Sequence, residues 1–333
     1  EQLPEQVPGA PPLPVAQQLL ETGSSDVLTA MMTIRQLGQA GKYYAAVEEG
    51  YRAITTSPSY LPLHVQMGEL QFRSGRIQAG VEKFTLLAEL YALRGDTAQA
   101  VRLLMRCAQA APMHLSVRTR LIELLVEQGR VNDAAQQYLD LGEMYYHLAD
   151  LAMAQKTYQA ALAFTEQNQA STQWQGRILT KLADIDMQRL DIRSAVQHLV
   201  RLRKLQPEDG NTRLLLINAL MRLGKEVEAI AELDDALRLY DTKKMVQSAH
   251  ALLEKVLGEH PTNLEVRKRL ANLYRSQGQN ELAVEQLDYI ADNFLSAGNR
   301  QAAAAMVRAI IALEPPNVSE YHDLLENILK GGV

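Results

Sequence analysis

Residues 95–112 read GDTAQAVRLLMRCAQAAP and residues 298–315 read GNRQAAAAMVRAIIALEP. Both spell one phrase: a small or turn residue, an alanine five positions on, a large apolar residue four beyond that, and a proline eight beyond again. Gly95, Ala100, Leu104 and Pro112 match Gly298, Ala303, Val307 and Pro315, and Leu190, Ala195, Leu199 and Pro207 repeat them. Gly41, Ala46 and Pro58 carry most of the phrase once more. Such self-similarity marks an array of stacked supersecondary units, none of which buries its apolar face alone. The surface of the stack is then where function is expected.

The opening residue of the phrase stands at ten markers: Gly41, Gly75, Gly95, Gly129, Ala149, Leu190, Gly224, Lys244, Gly278 and Gly298. Their spacing alternates between 34 and 20, except for a step of 41 from 149 to 190, which is 34 with seven residues inserted. The polar run Gln167 to Thr172 is the expected place of that surplus. Around the markers, leucines such as Leu87, Leu121 and Leu270 lie eight before, small residues such as Gly68, Gly142 and Ala183 seven before, and aromatics such as Tyr91, Tyr145, Tyr240, Tyr274 and Phe294 four before. Spacings of three, four and seven place these on one helical stripe, with small residues permitting close approach and large ones filling the gap. Pro58, Pro112, Pro207, Pro261 and Pro315 each stop a helix for want of an amide hydrogen. Asp96, Asp150, Asp191 and Asn211 stand where helices should begin. The reading is seventeen helices and no strand, an all-α solenoid.

The 34-residue step, with Gly68, Gly129, Ala134, Tyr138, Tyr274 and the recurrent prolines, resembles the tetratricopeptide repeat over residues 25–315. The resemblance implies a right-handed α–α superhelix. Three features depart from it: Trp174 does not stand at the family's helix-opening tryptophan, Gly80 replaces the usual alanine, and the 20-residue steps lie outside the standard motif. A 20-residue offset requires one helix to close one unit and open the next, giving three-helix modules of 54 residues such as 75–129 and 224–278. The shared helices are expected at 77–93, 131–147, 226–240 and 280–296. Each needs two apolar faces, which Phe84, Leu86, Leu87, Leu90, Tyr91 and Leu93 would supply in the first. Residues 1–24 read as a proline-rich tether, 25–315 as one continuous helical array, and 316–333 as a capping segment with its helix at 318–330.

Composition limits the chemistry. The 34 basic and 39 acidic residues are interspersed and give a net charge of −5, which offers no general attraction to nucleic acid or anionic lipid. Cys107 is the sole cysteine, which excludes an intrachain disulfide and fits a cytoplasmic protein. No apolar run is long enough to span a membrane and no signal peptide is evident; the start at Glu1 suggests a processed product or a fragment. The seven histidines are scattered without ligand spacing, no phosphate-binding loop is present, and neither metal nor cofactor is expected. Acid pairs Asp184/Asp186 and Asp234/Asp235, and basic clusters Arg201/Arg203/Lys204 and Arg267/Lys268/Arg269/Arg275, read as solvated helix faces. Nothing in the chain assembles an enzyme's acid, base and nucleophile.

In tetratricopeptide proteins the first helices of successive units line a groove for a peptide. By that resemblance Arg35, Glu69, Glu123, Asp184, Asn218 and Asn272, six before their markers, face the groove, joined by Arg73, Glu127, Gln188, Arg222 and Arg275. Lys268 and Asn272 also have the spacing of the opening pair of the family's clamp on chaperone carboxylate tails, yet Asp288 and Tyr289 stand where the clamp needs its next partners. The sequence therefore predicts a non-enzymatic scaffold for a protein or peptide of unknown identity, with homo-oligomerisation open. The alternative is a sensory or regulatory arm of a larger signalling or transcription protein.

Overall fold

The computed structural model describes residues 25–330, which form seventeen α-helices with no strand among the described residues. The tether lies outside the described residues. Helices α1 (Ser25–Gln39) and α2 (Tyr43–Thr56) open the array, followed by a triplet α3 (Leu61–Arg73), α4 (Ile77–Leu93) and α5 (Thr97–Ala110). A second triplet is α6 (Leu115–Glu127), α7 (Val131–His147) and α8 (Leu151–Gln167). After the pair α9 (Thr172–Gln188) and α10 (Ile192–Leu205) come triplets α11 (Gly210–Arg222), α12 (Glu226–Thr242), α13 (Val246–Glu259) and α14 (Leu264–Ser276), α15 (Asn280–Ser296), α16 (Arg300–Ile311). Helix α17 (Val318–Lys330) ends the array.

All ten markers adopt left-handed backbone, with φ between 56° and 83°. The reason is local: each is the residue at which a helix ends in a Schellman turn. At Gly95 its amide donates to Ala92 O and the amide of Asp96 to Tyr91 O, so two orphan carbonyls are satisfied in one stroke. Asp96 is also the N-cap of the next helix, accepting from the amide of Gln99 at 2.9 Å. Asp150, Asp191 and Asn299 do the same after their markers. One helix thus passes into the next through a link too short to vary, which holds consecutive helices antiparallel.

A 20-residue step is consequently one 17-residue helix bounded by two such turns, and α4, α7, α12 and α15 all have that length. Three of them occupy the expected shared spans; α12 runs two residues further than expected. Each packs on both its predecessor and its successor. The expectation of two apolar faces fails in α4, however. Its buried stripe is Val81, Phe84, Leu87, Ala88 and Tyr91, whereas Leu86, Leu90 and Leu93 are exposed, because one broad stripe suffices to meet both neighbours.

Residue size follows the close approaches. The alanine after each marker is buried throughout, from Ala46 to Ala303. A Cβ at Gly68 would lie 2.2 Å from the Phe84 ring and one at Gly142 2.4 Å from Tyr158, so these glycines receive the aromatic side chain of the next helix. Gly80 replaces alanine for a similar reason: its Cβ would stand 2.7 Å from the Phe72 ring, which meets Phe84 edge-on. Tyr240 is fully buried, but Tyr145 and Phe294 on the same stripe are partly exposed.

The seven extra residues are not in the polar run. The link 168–171 keeps the four residues of link 111–114, and the surplus lengthens α8 by three relative to α5 and α9 by four relative to α6. Gln169, left-handed at φ 50°, closes this link where a proline closes the others. The described residues group into two compact units, one ending at Ala170 and the other beginning at Ser171.

The proline links have a tie of their own. Arg118, Arg213 and Arg267, each six residues after a proline, donate to that proline's carbonyl at 3.1–3.2 Å, and His64 approaches Pro58 O at 2.7 Å. Each arginine also reaches nineteen residues ahead into the 17-residue helix, to Gln137, Glu232 or Gln286. Glu232 is buried between Arg213 and Arg203. Removing one partner of a buried ion pair leaves a charge without compensation.

Gly129→Ala, at φ 65° with open space around its Cα, should lower unfolding free energy by about 1–2 kcal/mol, whereas Leu190→Gly should raise it by about 0.5 kcal/mol, both read by urea denaturation. Arg213→Met should cost at least about 2 kcal/mol in the same assay; a neutral result would show the buried carboxylate to be satisfied without it.

Candidate functional site

In the unit that ends at Ala170, α1, α3 and α5 leave a groove of about 420 Å³. Its floor is apolar, built from residues such as Met31, Ile34, Val65 and Leu103, and its rim carries Arg35, Arg73, Arg102 and Arg106 with a single carboxylate, Glu69. Three of the residues expected in a groove, Arg35, Glu69 and Arg73, therefore converge. Arg102 and Arg106 were missed, since they lie on the third helix of the triplet rather than on a first helix.

Glu69 organises this rim. Its two carboxylate oxygens accept from Arg106 Nε and Nη2, both at 3.0 Å, in the fork geometry that guanidinium favours, while Arg73 Nε lies 3.8 Å away. The pairing holds Arg106 above its ordinary pKa, and its guanidinium also covers the Phe72 ring at 4.8 Å. Among the described residues Arg102 donates to Gln99 alone, at 2.7 Å, and Arg35 is exposed. Gln66 donates to Met31 O at 2.7 Å, tying α3 to α1 across the floor.

The other expected residues do not join this groove. Glu123 is exposed and accepts from Arg120 at 2.7 Å; Glu127 borders a separate recess with Arg120 and Leu93. In the unit that begins at Ser171, Asp184 and Gln188 are exposed on α9, Arg222 on α11, and Lys268, Asn272 and Arg275 on α14. Asn218 is 9% exposed, with Oδ1 3.1 Å from His260 Nε2, so it is held inside the fold. The clamp-like pair Lys268 and Asn272 has no continuation: Asp288 accepts from Tyr321 of the last helix at 2.6 Å, and Tyr289 lies 3.6 Å beneath the Arg267 guanidinium. Burial and the Asp288 bond push the Tyr321 hydroxyl up to about 12.

The charged clusters are also largely spoken for. Asp186 is fully buried with His198 Nδ1 2.9 Å away, not on a solvated face. Asp234 is gripped by Arg269 through two bonds of 2.6 and 2.8 Å, which hold its carboxyl below the usual range. Arg203 and Arg267 serve the ties already described. Cys107 is buried, and that burial pushes its thiol up to about 12, so it has no thiolate at neutral pH. Among the described residues no group of histidine, cysteine or acidic side chains could hold a metal, and no helix is long and apolar enough to cross a membrane.

Residues 242–294 match the family model described as tetratricopeptide repeat, and residues 111–214 match that of the soluble NSF attachment protein. No curated protein matches the chain. Similar solved structures include MamA of AMB-1, at 21% identity over 65% of this chain and 98% of that one with a TM-score of 0.28. The TPR2AB-domain–pHSP90 complex of yeast Sti1 matches at 14% identity over 88% of this chain and 100% of that one, TM-score 0.31. A tetratricopeptide repeat protein from Parabacteroides merdae matches at 13% identity over 75% and 98%, TM-score 0.29.

The rim pair is about one-third exposed on each side, which keeps its worth small. Glu69→Gln should therefore change unfolding free energy by about 1 kcal/mol or less in denaturant titration. A loss several times larger would make the pair a brace for the fold instead of a feature of the groove.

Proposed function

We propose that this chain of tetratricopeptide repeats is a non-enzymatic scaffold that holds a protein or peptide partner on its helical surface, with the groove between α1, α3 and α5 as the principal seat. The observation that carries the reading is the convergence of an apolar floor and a charged rim on three helices whose links fix their relative placement. A partner side chain entering the groove leaves water on the apolar side, while the arginines, rich in donors and spread around the rim, fix its orientation. Because the helices are already ordered, little conformational freedom remains to be lost on binding. The exposed residues Arg222, Lys268, Asn272 and Arg275 are secondary contact positions.

Site-specific photo-crosslinking tests this reading. A photoreactive residue at Arg35 or Arg73 should trap a discrete protein from native lysate, while one at Glu123 should trap it weakly or not at all. Equal labelling from all three positions would remove the groove as the seat.

A further inference from the structure

The groove rim is strongly cationic in a chain whose net charge is −5. Four arginines face a single carboxylate, and that carboxylate is shared between Arg106 and Arg73, so Arg35 and Arg102 stand with no acidic partner among the described residues. The fold does not require this set. At the same register as Arg102 and Arg106, the last triplet has Ala305 and Ala309, and the second has Lys156 and Ala160; Glu127 stands where Arg73 does. All these triplets form the same helices. Arg222 repeats Arg73 in the third triplet, where Ala251 and Lys255 stand for Arg102 and Arg106, so the first triplet alone carries arginine at all three positions.

We propose that the groove recognises an acidic segment of a partner protein, its carboxylates meeting Arg35, Arg73 and Arg102 and a neighbouring apolar side chain entering over Met31, Ile34 and Leu103. The inference rests on the scaffold reading and gives it a chemical class of partner. Each guanidinium presents paired donors that match a carboxylate, and the three exposed arginines, Arg35, Arg73 and Arg102, lie at the rim, where opposite charge speeds encounter and fixes orientation. Glu69 meanwhile immobilises Arg106 over Phe72 and spaces the remaining cations around the opening. An uncharged apolar peptide would fill the floor and leave those cations unmatched.

The test uses the full chain and short fluorescent peptides in which glutamate and leucine are spaced by serine, with glutamine–leucine and lysine–leucine counterparts. The glutamate peptide should bind at least about tenfold more tightly than either counterpart, and rising salt should erode that margin. Arg35→Glu with Arg102→Glu should abolish it, and a matching melting curve would show that these exposed positions leave the fold intact. Glu69→Gln should preserve or strengthen glutamate binding. Equal binding of all three peptides overturns the acidic preference but keeps the scaffold; binding of none, or self-association of the chain in their place, overturns both. Displacement by inorganic phosphate as readily as by unlabelled glutamate peptide would reassign the rim to a simple anion and likewise overturn the proposal.

Discussion

Everything in this molecule depends on a residue that turns left-handed where a helix ends. The Schellman turn satisfies two terminal carbonyls, reverses the chain, and delivers the following residue to the N-cap of the next helix. Glycine takes that conformation without strain, which accounts for seven of the ten markers. Ala149, Leu190 and Lys244 take it against their preference with exposed side chains, so the backbone bonds of the turn and the packed helices on either side hold them there. With both ends of a 17-residue helix closed in this way, its two neighbours have fixed places. The triplet is the outcome.

The proline links solve a different problem. After Pro112, Pro207 and Pro261 an arginine six residues later donates to the proline carbonyl while gripping the long helix nineteen residues on; after Pro58 that place is taken by His64, and the Pro315 carbonyl accepts from the Val318 amide. Two kinds of link therefore recur, the marker turns sealed by backbone and most of the proline links tied by a side chain. Arginine suits the second because its planar donors serve a carbonyl and a carboxylate or amide at once.

Much of this was legible in the chain itself because helix register leaves a period. The markers, the long shared helices and the buried alanines all come from spacings that the backbone enforces. What escaped lies in interactions without a local period. The seven inserted residues sit in α8 and α9 because a helix absorbs extra turns without disturbing its links, and polarity in 167–172 was a misleading cue. Leu86, Leu90 and Leu93 looked like a second core face, yet nothing in the sequence told where a neighbour's helix would end. Asn218 fell on the expected groove face by register, but His260, 42 residues away, draws it inward. Of the groove, first-helix positions yielded Arg35, Glu69 and Arg73, whereas Arg102 and Arg106 required knowing that the third helix of a triplet lines the same recess.

The proposed seat is a local departure from the repeat. Most triplet positions are dictated by packing, while the first triplet carries charges that packing does not ask for. The scaffold around them rests on the left-handed links, which amide hydrogen exchange examines most directly. If the account is right, the amides of Asp96, Arg130, Lys225 and Gln279, bonded back to the last turn, exchange as slowly as those of the helices they follow. Exchange at the rate of open loops, with the helices still protected, would contradict it.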